Sequence, residues 1–133
     1  QVGSQVSVQE LAQLLRVSAV TIERYLDLLE KSFIIFKMTS YSNNLRNEIK
    51  KSKKYYFYDN GIRNALINNF NAIADRPDTG ALWENFCVSE FLKKVEYEER
   101  FSNIYFWRTY DGAEIDLVEE RNGTLAAYEF KWK

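Results

Sequence analysis

The sequence predicts an α+β fold in two parts: a winged helix-turn-helix over residues 1–75, then a helix and a three-stranded antiparallel meander over residues 76–133. Three observations predict it. Two closely spaced segments near the start carry apolar residues at helical spacing. One longer segment after residue 80 does the same. At the end, Asp111-Gly112 and Asn122-Gly123, the strongest kind of short hairpin signal, separate three strand-like runs.

The elements follow in order. Ser7-Val8-Gln9-Glu10 fits a capping box, and Val8, Leu11, Ala12 and Leu15 keep the i, i+3, i+4, i+7 spacing of an amphipathic helix. After the tight Arg16-Val17 link, Ser18 caps a second helix whose apolar stripe is Ile22, Tyr25, Leu26 and Leu29, running on to Phe33. Ile34 to Met38 and Tyr55 to Tyr58 read as strands joined by an Asn- and Lys-rich stretch, which makes a wing. Asp59-Asn60-Gly61 is a turn, and Ile62, Leu66, Ile67 and Phe70 suggest a short helix behind it. Arg76-Pro77-Asp78-Thr79-Gly80 is the one proline-containing break and is read as the boundary. From Ala81 to about Tyr97, Val88, Phe91, Leu92 and Val95 define a helix face with Cys87 at its margin. Ile104 to Thr109, Glu114 to Glu120 and Leu125 to Trp132 are the three final strands.

Composition narrows the chemistry. With 133 residues, 46% of them hydrophobic, the chain can bury one compact core or two small ones sharing an interface. The lone Cys87 excludes an internal disulfide, and no run approaches the length of a membrane span, so the cytoplasm is expected and no membrane partner. Gln1 at the start, and a strand-like run still in progress at Lys133, are expected of a fragment. The absence of histidine excludes His-ligated zinc, Ser-His-Asp triads and imidazole catalysis. No Gly-rich phosphate loop is present, so no nucleotide is expected on this chain. Nine tyrosines and nine phenylalanines anticipate exposed aromatic surface, of a kind that drives a homo-oligomer.

Charge is unevenly spread. Residues 37 to 58 carry Lys37, Arg46, Lys50, Lys51, Lys53 and Lys54 against Glu48 alone, a stretch suited to phosphate. In a helix-turn-helix the second helix would present Ala19, Val20, Thr21 and Arg24 to a DNA groove. Only Arg24 is basic there, so the wing lysines Lys50, Lys51, Lys53 and Lys54 are the better candidates, with Tyr55 and Tyr56 beside them. The other reading is a solvated loop on a protein-interaction module. Residues 84 to 120 hold ten acidic against four basic side chains and would repel DNA without cations.

Four charged residues stand out in the second half. At 100° per residue Glu84 falls within the stripe of Val88, Phe91, Leu92 and Val95, where a lone carboxylate needs a partner or a metal. Alternatively it is a first-turn acid suited to the helix dipole. If Asn122-Gly123 form a two-residue turn, Asp116 lies opposite Glu129. Period-two alternation then puts Lys131 on the face of Glu129, with Tyr128, Phe130 and Trp132 on the other. Facing carboxylates are destabilising unless a divalent cation joins them, and oxygen ligands favour Mg²⁺ or Mn²⁺. The competing reading is a solvated sheet face, since Ile115 and Leu117 alternate with Glu114 and Asp116. Glu84, Asp116 and Glu129 as metal ligands, with Lys131 stabilising charge on a phosphate, would suit phosphodiester hydrolysis.

These residues resemble the PD-(D/E)XK nuclease superfamily. Glu84 in Gly80-Ala81-Leu82-Trp83-Glu84-Asn85-Phe86 resembles its helix glutamate, Asp116 in Gly112-Ala113-Glu114-Ile115-Asp116 its strand aspartate, and Glu129-Phe130-Lys131 its E-x-K. More closely, the chain from about Val8 looks like the C-terminal domain of unknown function found behind an AAA-type ATPase in many archaeal and bacterial proteins; Tyr105-Phe106-Trp107-Arg108-Thr109 followed by Asp111-Gly112-Ala113-Glu114-Ile115-Asp116 is typical of that group. The archaeal Holliday-junction resolvases are similar in the same strand and E-x-K. The resemblance implies a restriction-endonuclease-like core, truncated after Lys131, with Mg²⁺-dependent cleavage of DNA and an ATPase domain as partner in the full-length protein. A non-catalytic DNA-binding or assembly module with a vestigial site is the alternative.

Overall fold

The computed structural model describes residues 3–42, 52–109 and 111–133. The fold is α+β, with four helices and two small antiparallel sheets among the described residues. Helix α1 (Val8–Leu15) is capped by Ser7, whose hydroxyl accepts from the Glu10 amide, and ends at Arg16 in the left-handed region. Ser18 caps α2 (Ala19–Lys31) in the same way through Thr21. The two strands β1 (Ile35–Thr39) and β2 (Lys53–Phe57) pair antiparallel, Phe36 against Tyr56 and Met38 against Lys54. Helix α3 (Asn60–Leu66) is short and is followed by a single 3-10 turn (Ile73–Asp75). Helix α4 (Thr79–Tyr97) precedes the meander β3 (Asn103–Arg108), β4 (Glu114–Arg121) and β5 (Thr124–Tyr128).

One hydrophobic core draws on both parts of the sequence. Phe36, Met38 and Tyr56 from the first sheet pack with Val88 of α4 and with Phe106 and Leu117 of the second sheet. The sheets also touch through their backbones: Ser40 forms a parallel bridge to Phe106, whose carbonyl accepts from the Tyr41 amide at 2.7 Å. The proline-containing segment is a clamp rather than a loose connection. Arg76 is buried, donates to Asp78 and to the Asn69 carbonyl, and Arg63 of α3 reaches the same Asp78. The Arg76 guanidinium, seconded by Arg63, holds the Asp78 carboxyl well below the usual carboxylate range.

Several expectations need correction. On α1 only Ala12 is buried, and Leu15 is exposed. On α2 the buried residue is Ile22, whereas Tyr25 and Leu29 of the expected stripe, and Phe33 beyond it, are exposed. Helical spacing defined a face there, but little among the described residues covers it. The α4 face is as expected: Val88 and Val95 are buried, with Phe91 and Leu92 packed against the core.

The final hairpin has the expected register. Leu117 pairs with Tyr128 and Arg121 with Thr124, around Asn122 and Gly123 at φ 51° and 74°. Both central residues are left-handed, as a tight primed turn requires. Strand β5 nevertheless ends at Tyr128 instead of Trp132, because the Asp116 carboxylate takes the Phe130 amide at 2.8 Å in place of a backbone acceptor.

Alternation along β4 also fails at one point. Tyr105 pairs with Val118 and Trp107 with Ile115, so Asp116 and Leu117 together oppose the single residue Phe106. This bulge re-aims the strand. Ile115 and Val118 both line a shallow outer pocket with Trp107 and Leu125, while Leu117 enters the core and Asp116 is buried.

A core built this way should melt as one body. Phe106→Ala should lower the unfolding free energy by about 3–5 kcal/mol. In a urea titration, helical circular dichroism and tryptophan fluorescence should shift together; two separate transitions would refute a shared core.

Candidate functional site

The helix, the bulge and the first sheet place a set of charged groups together. Glu84 sits in the second turn of α4, on the flank next to β2. The Tyr56 hydroxyl donates to its Oε1 at 2.8 Å, and the Lys54 ammonium lies 3.7 Å from the same oxygen. Lys54 also makes a close ion pair with Glu114, at the start of β4. Both β2 residues are buried, Lys54 to 2% and Tyr56 to 0% exposure. Gly3 closes the other side: at φ +70° its backbone lies so near Glu84 that an added Cβ would stand 2.8 Å from Oε1.

The electrostatics agree with this crowding. Burial raises the Glu84 carboxyl above its ordinary 4.5, a shift that Tyr56 and Lys54 oppose and that Asp116 and Glu114 reinforce. Burial pushes the Tyr56 hydroxyl far above its usual range, with Glu84 adding to the effect. Lys131 is raised first by its bond to Glu129, at 2.8 Å, and then by Asp116, with a smaller contribution from Glu84. Lys131 is therefore within electrostatic reach of Glu129, Asp116 and Glu84, and Glu84 within reach of Asp116, although three separate segments carry them.

They are not equally placed. Glu84 is half-buried and Asp116 buried, but Glu129 and Lys131 lie beyond the end of the β5 ladder and are exposed. Tyr128 and Phe130 pack on the core, and the Trp132 ring meets Trp83 at 5.5 Å, which leaves Glu129 and Lys131 as the solvent-facing residues of this run. The donor set is all oxygen, the chemistry of a hard cation. Yet no three Asp, Glu or Cys side chains converge as a ready-made ligand set among the described residues. Asp116 commits one oxygen to Phe130, Glu84 one to Tyr56, and Glu129 is turned to Lys131. For Glu129 to serve as a third ligand it would have to leave Lys131.

Among the expected nucleic-acid contacts, Arg24 is exposed on α2 and Thr21 half-buried, its amide held by the Ser18 cap. Lys50 and Lys51 lie outside the described residues. Lys53 is half-buried in β2. Lys54 is corrected outright: it is not on a solvated wing, because the core face of β2 and two glutamates enclose it. Lys54, Tyr56 and Glu114 are the site members that sequence reading missed. Period-two phase puts Lys54 on one face with Tyr56 and Glu114 on one face with Asp116, but it does not say which face is buried.

Residues 1–72 match the family model described as Domain of unknown function (DUF8612), and residues 79–133 match Domain of unknown function (DUF4143). An uncharacterized protein of Mycobacterium tuberculosis is 31% identical over 131 residues, covering 97% of this chain and 29% of the relative. An uncharacterized protein of Methanocaldococcus jannaschii is 30% identical over 98 residues, covering 71% of this chain and 20% of the relative. The chain thus spans less than a third of the curated relatives it matches. No solved structure matches it.

Two outcomes test this geometry. Lys54→Met leaves Glu84 and Glu114 without their buried cation and should cost roughly 3–5 kcal/mol in urea unfolding, part of it recovered when both glutamates become glutamine. Because Glu84 has a raised pKa when folded, the native state holds its proton more tightly than the unfolded chain does. Its stabilising contribution is full below about 4.5 and is lost as pH rises through the folded value. Glu84→Gln should therefore flatten the fall in urea midpoint over that window; an unchanged slope would show that Glu84 is not the group responsible.

Proposed function

The chain belongs to the DUF8612 family, and from that premise we propose that it is the nucleic-acid-processing module of a longer, ATPase-linked protein, with a Mg²⁺- or Mn²⁺-dependent site for phosphodiester hydrolysis. The observation that carries this reading is the hydrogen bond from the Phe130 amide to the Asp116 carboxylate at 2.8 Å, which holds the Glu129-Phe130-Lys131 segment against the β4 bulge, on the strand that also brings Glu114 to Lys54 and so to Glu84 of α4. Glu84, Asp116 and Glu129 would hold the ion, which supplies a polarised phosphate and an activated water. Lys131, exposed and paired with the neighbouring Glu129, would turn toward a phosphate oxygen. Asp116 is kept in place by the Phe130 amide, so its second oxygen is the one available. The partners in this reading are DNA and the AAA-type ATPase domain of the full-length protein.

One observation favours a second reading, a non-catalytic DNA-binding or protein-assembly module. Lys54 already neutralises Glu84 and Glu114, and α1 and α2 expose Leu14, Leu15, Val20, Tyr25 and Leu28, a surface suited to a protein partner.

The test is cleavage. Duplex, single-stranded and branched DNA incubated with Mg²⁺ or Mn²⁺ should be cut by the protein and spared by Asp116→Ala and Lys131→Ala, with rates lowered about a hundredfold or more. Absence of cleavage, or cleavage that survives both substitutions, leaves the assembly reading in its place.

A further inference from the structure

A cavity of about 520 Å³ lies between α3, the 3-10 turn and the start of α4. Its walls are largely apolar: the rings of Phe70, Trp83, Phe86 and Trp132 line it together with Ile73 and Leu82. Phe70, Phe86 and Trp132 are each about half exposed or more. Trp83 adjoins Glu84 in sequence, and Trp132 adjoins Lys131, so this cavity and the carboxylate cluster share the same two segments.

The polar groups in the wall are almost all satisfied. Arg76 is taken up by Asp78 and the Asn69 carbonyl, Thr79 by the carbonyls of Ile73 and Arg76, and Asn60 by the Leu82 carbonyl and Asn85. Asn64 is different. Its side-chain oxygen is buried and accepts no hydrogen bond, the one such atom found among the described residues. A buried acceptor left unmade costs on the order of 1–3 kcal/mol, so it marks a place where a donor belongs.

Aromatic rings, one unfilled acceptor and no free cation in the wall define the occupant: a flat, neutral group with an N–H edge. A phosphate or carboxylate would find no counter-charge, because Arg76 is bound to Asp78. A hydrocarbon chain would leave Asn64 unpaired. We propose that this cavity receives one unstacked nucleobase of a single-stranded or locally opened nucleic acid, its ring against the aromatic side chains and an N–H donating to Asn64 Oδ1. The choice of a base over another flat N–H donor, such as a tryptophan side chain of a partner protein, rests on the phosphodiesterase reading above, in which the segment that supplies Lys131 also supplies Trp132 of the cavity wall.

The experiment is a fluorescence titration in EDTA, where no metal-dependent cleavage occurs. The protein carries Trp107→Phe, so that the signal comes from Trp83 and Trp132. A short oligodeoxyadenylate should quench this fluorescence, and an oligomer of the same length made of abasic sugar-phosphate units should bind at least about tenfold more weakly. Asn64→Leu should weaken the oligodeoxyadenylate severalfold without lowering the melting temperature, since it also removes an unpaired buried oxygen. Equal binding of the abasic oligomer, no binding of either, or full affinity in Asn64→Leu would each overturn the proposal. Displacement by N-acetyltryptophanamide with no response to the oligonucleotide would overturn it in favour of a protein partner. Base-dependent quenching by a protein that never cleaves would retire the nuclease reading and leave this one standing; cleavage with no base dependence of binding would do the reverse.

Discussion

The ammonium of Lys54 is the interaction on which the arrangement turns. It sits among core residues at 2% exposure and faces Glu84 from α4 and Glu114 from β4, so one cation ties three segments that are far apart in sequence. A buried charge of this kind stabilises little relative to an apolar replacement of equal shape, but it tolerates very few geometries. Tyr56, two residues on, adds a hydrogen bond to the same glutamate. Strand β2 thereby sets where Glu84 points, and a residue of the first half governs the centre of the second.

The bulge in β4 does for Asp116 what β2 does for Glu84. Without it, strict alternation would put Asp116 on the face opposite Leu117. Two residues opposing Phe106 allow Leu117 to fill the core while Asp116 is buried, where it adds to the upward shifts that burial gives Glu84 and the Cys87 thiol. The carboxylate then binds the Phe130 amide and ends the β5 ladder, which leaves Glu129 and Lys131 outside the sheet. Geometry at the candidate site is thus a sequence of local exchanges between backbone pairing and side-chain charge.

What could be read in the sequence was what is local. The α4 face and the Asn122-Gly123 register follow from periodicity and turn chemistry within a few residues, and both are in the structure as expected. The pairing of Asp116 with the segment around Glu129 followed from that register. Lys54 was not legible as a core residue, because burying a lysine depends on two glutamates 30 and 60 positions away. Nor was the bulge: no glycine marks it, and it arises from how β3 meets β4. Tyr25 and Leu29 show the converse limit, since a helical stripe tells which side is apolar and not whether anything in the chain will cover it.

The shared core has a consequence for how the chain is made. Phe36, Met38 and Tyr56 leave the ribosome before their core partners Val88, Phe106 and Leu117. At about 5–20 residues per second, the sixty-odd residues separating Tyr56 from Leu117 correspond to several seconds of synthesis. During that interval the early helices and hairpin carry bare aromatic surface, and Lys54 remains in water with no glutamate to meet. The shared core accordingly closes only once β3 and β4 have been made, and until then residues 35–57 are open to chaperone capture or aggregation.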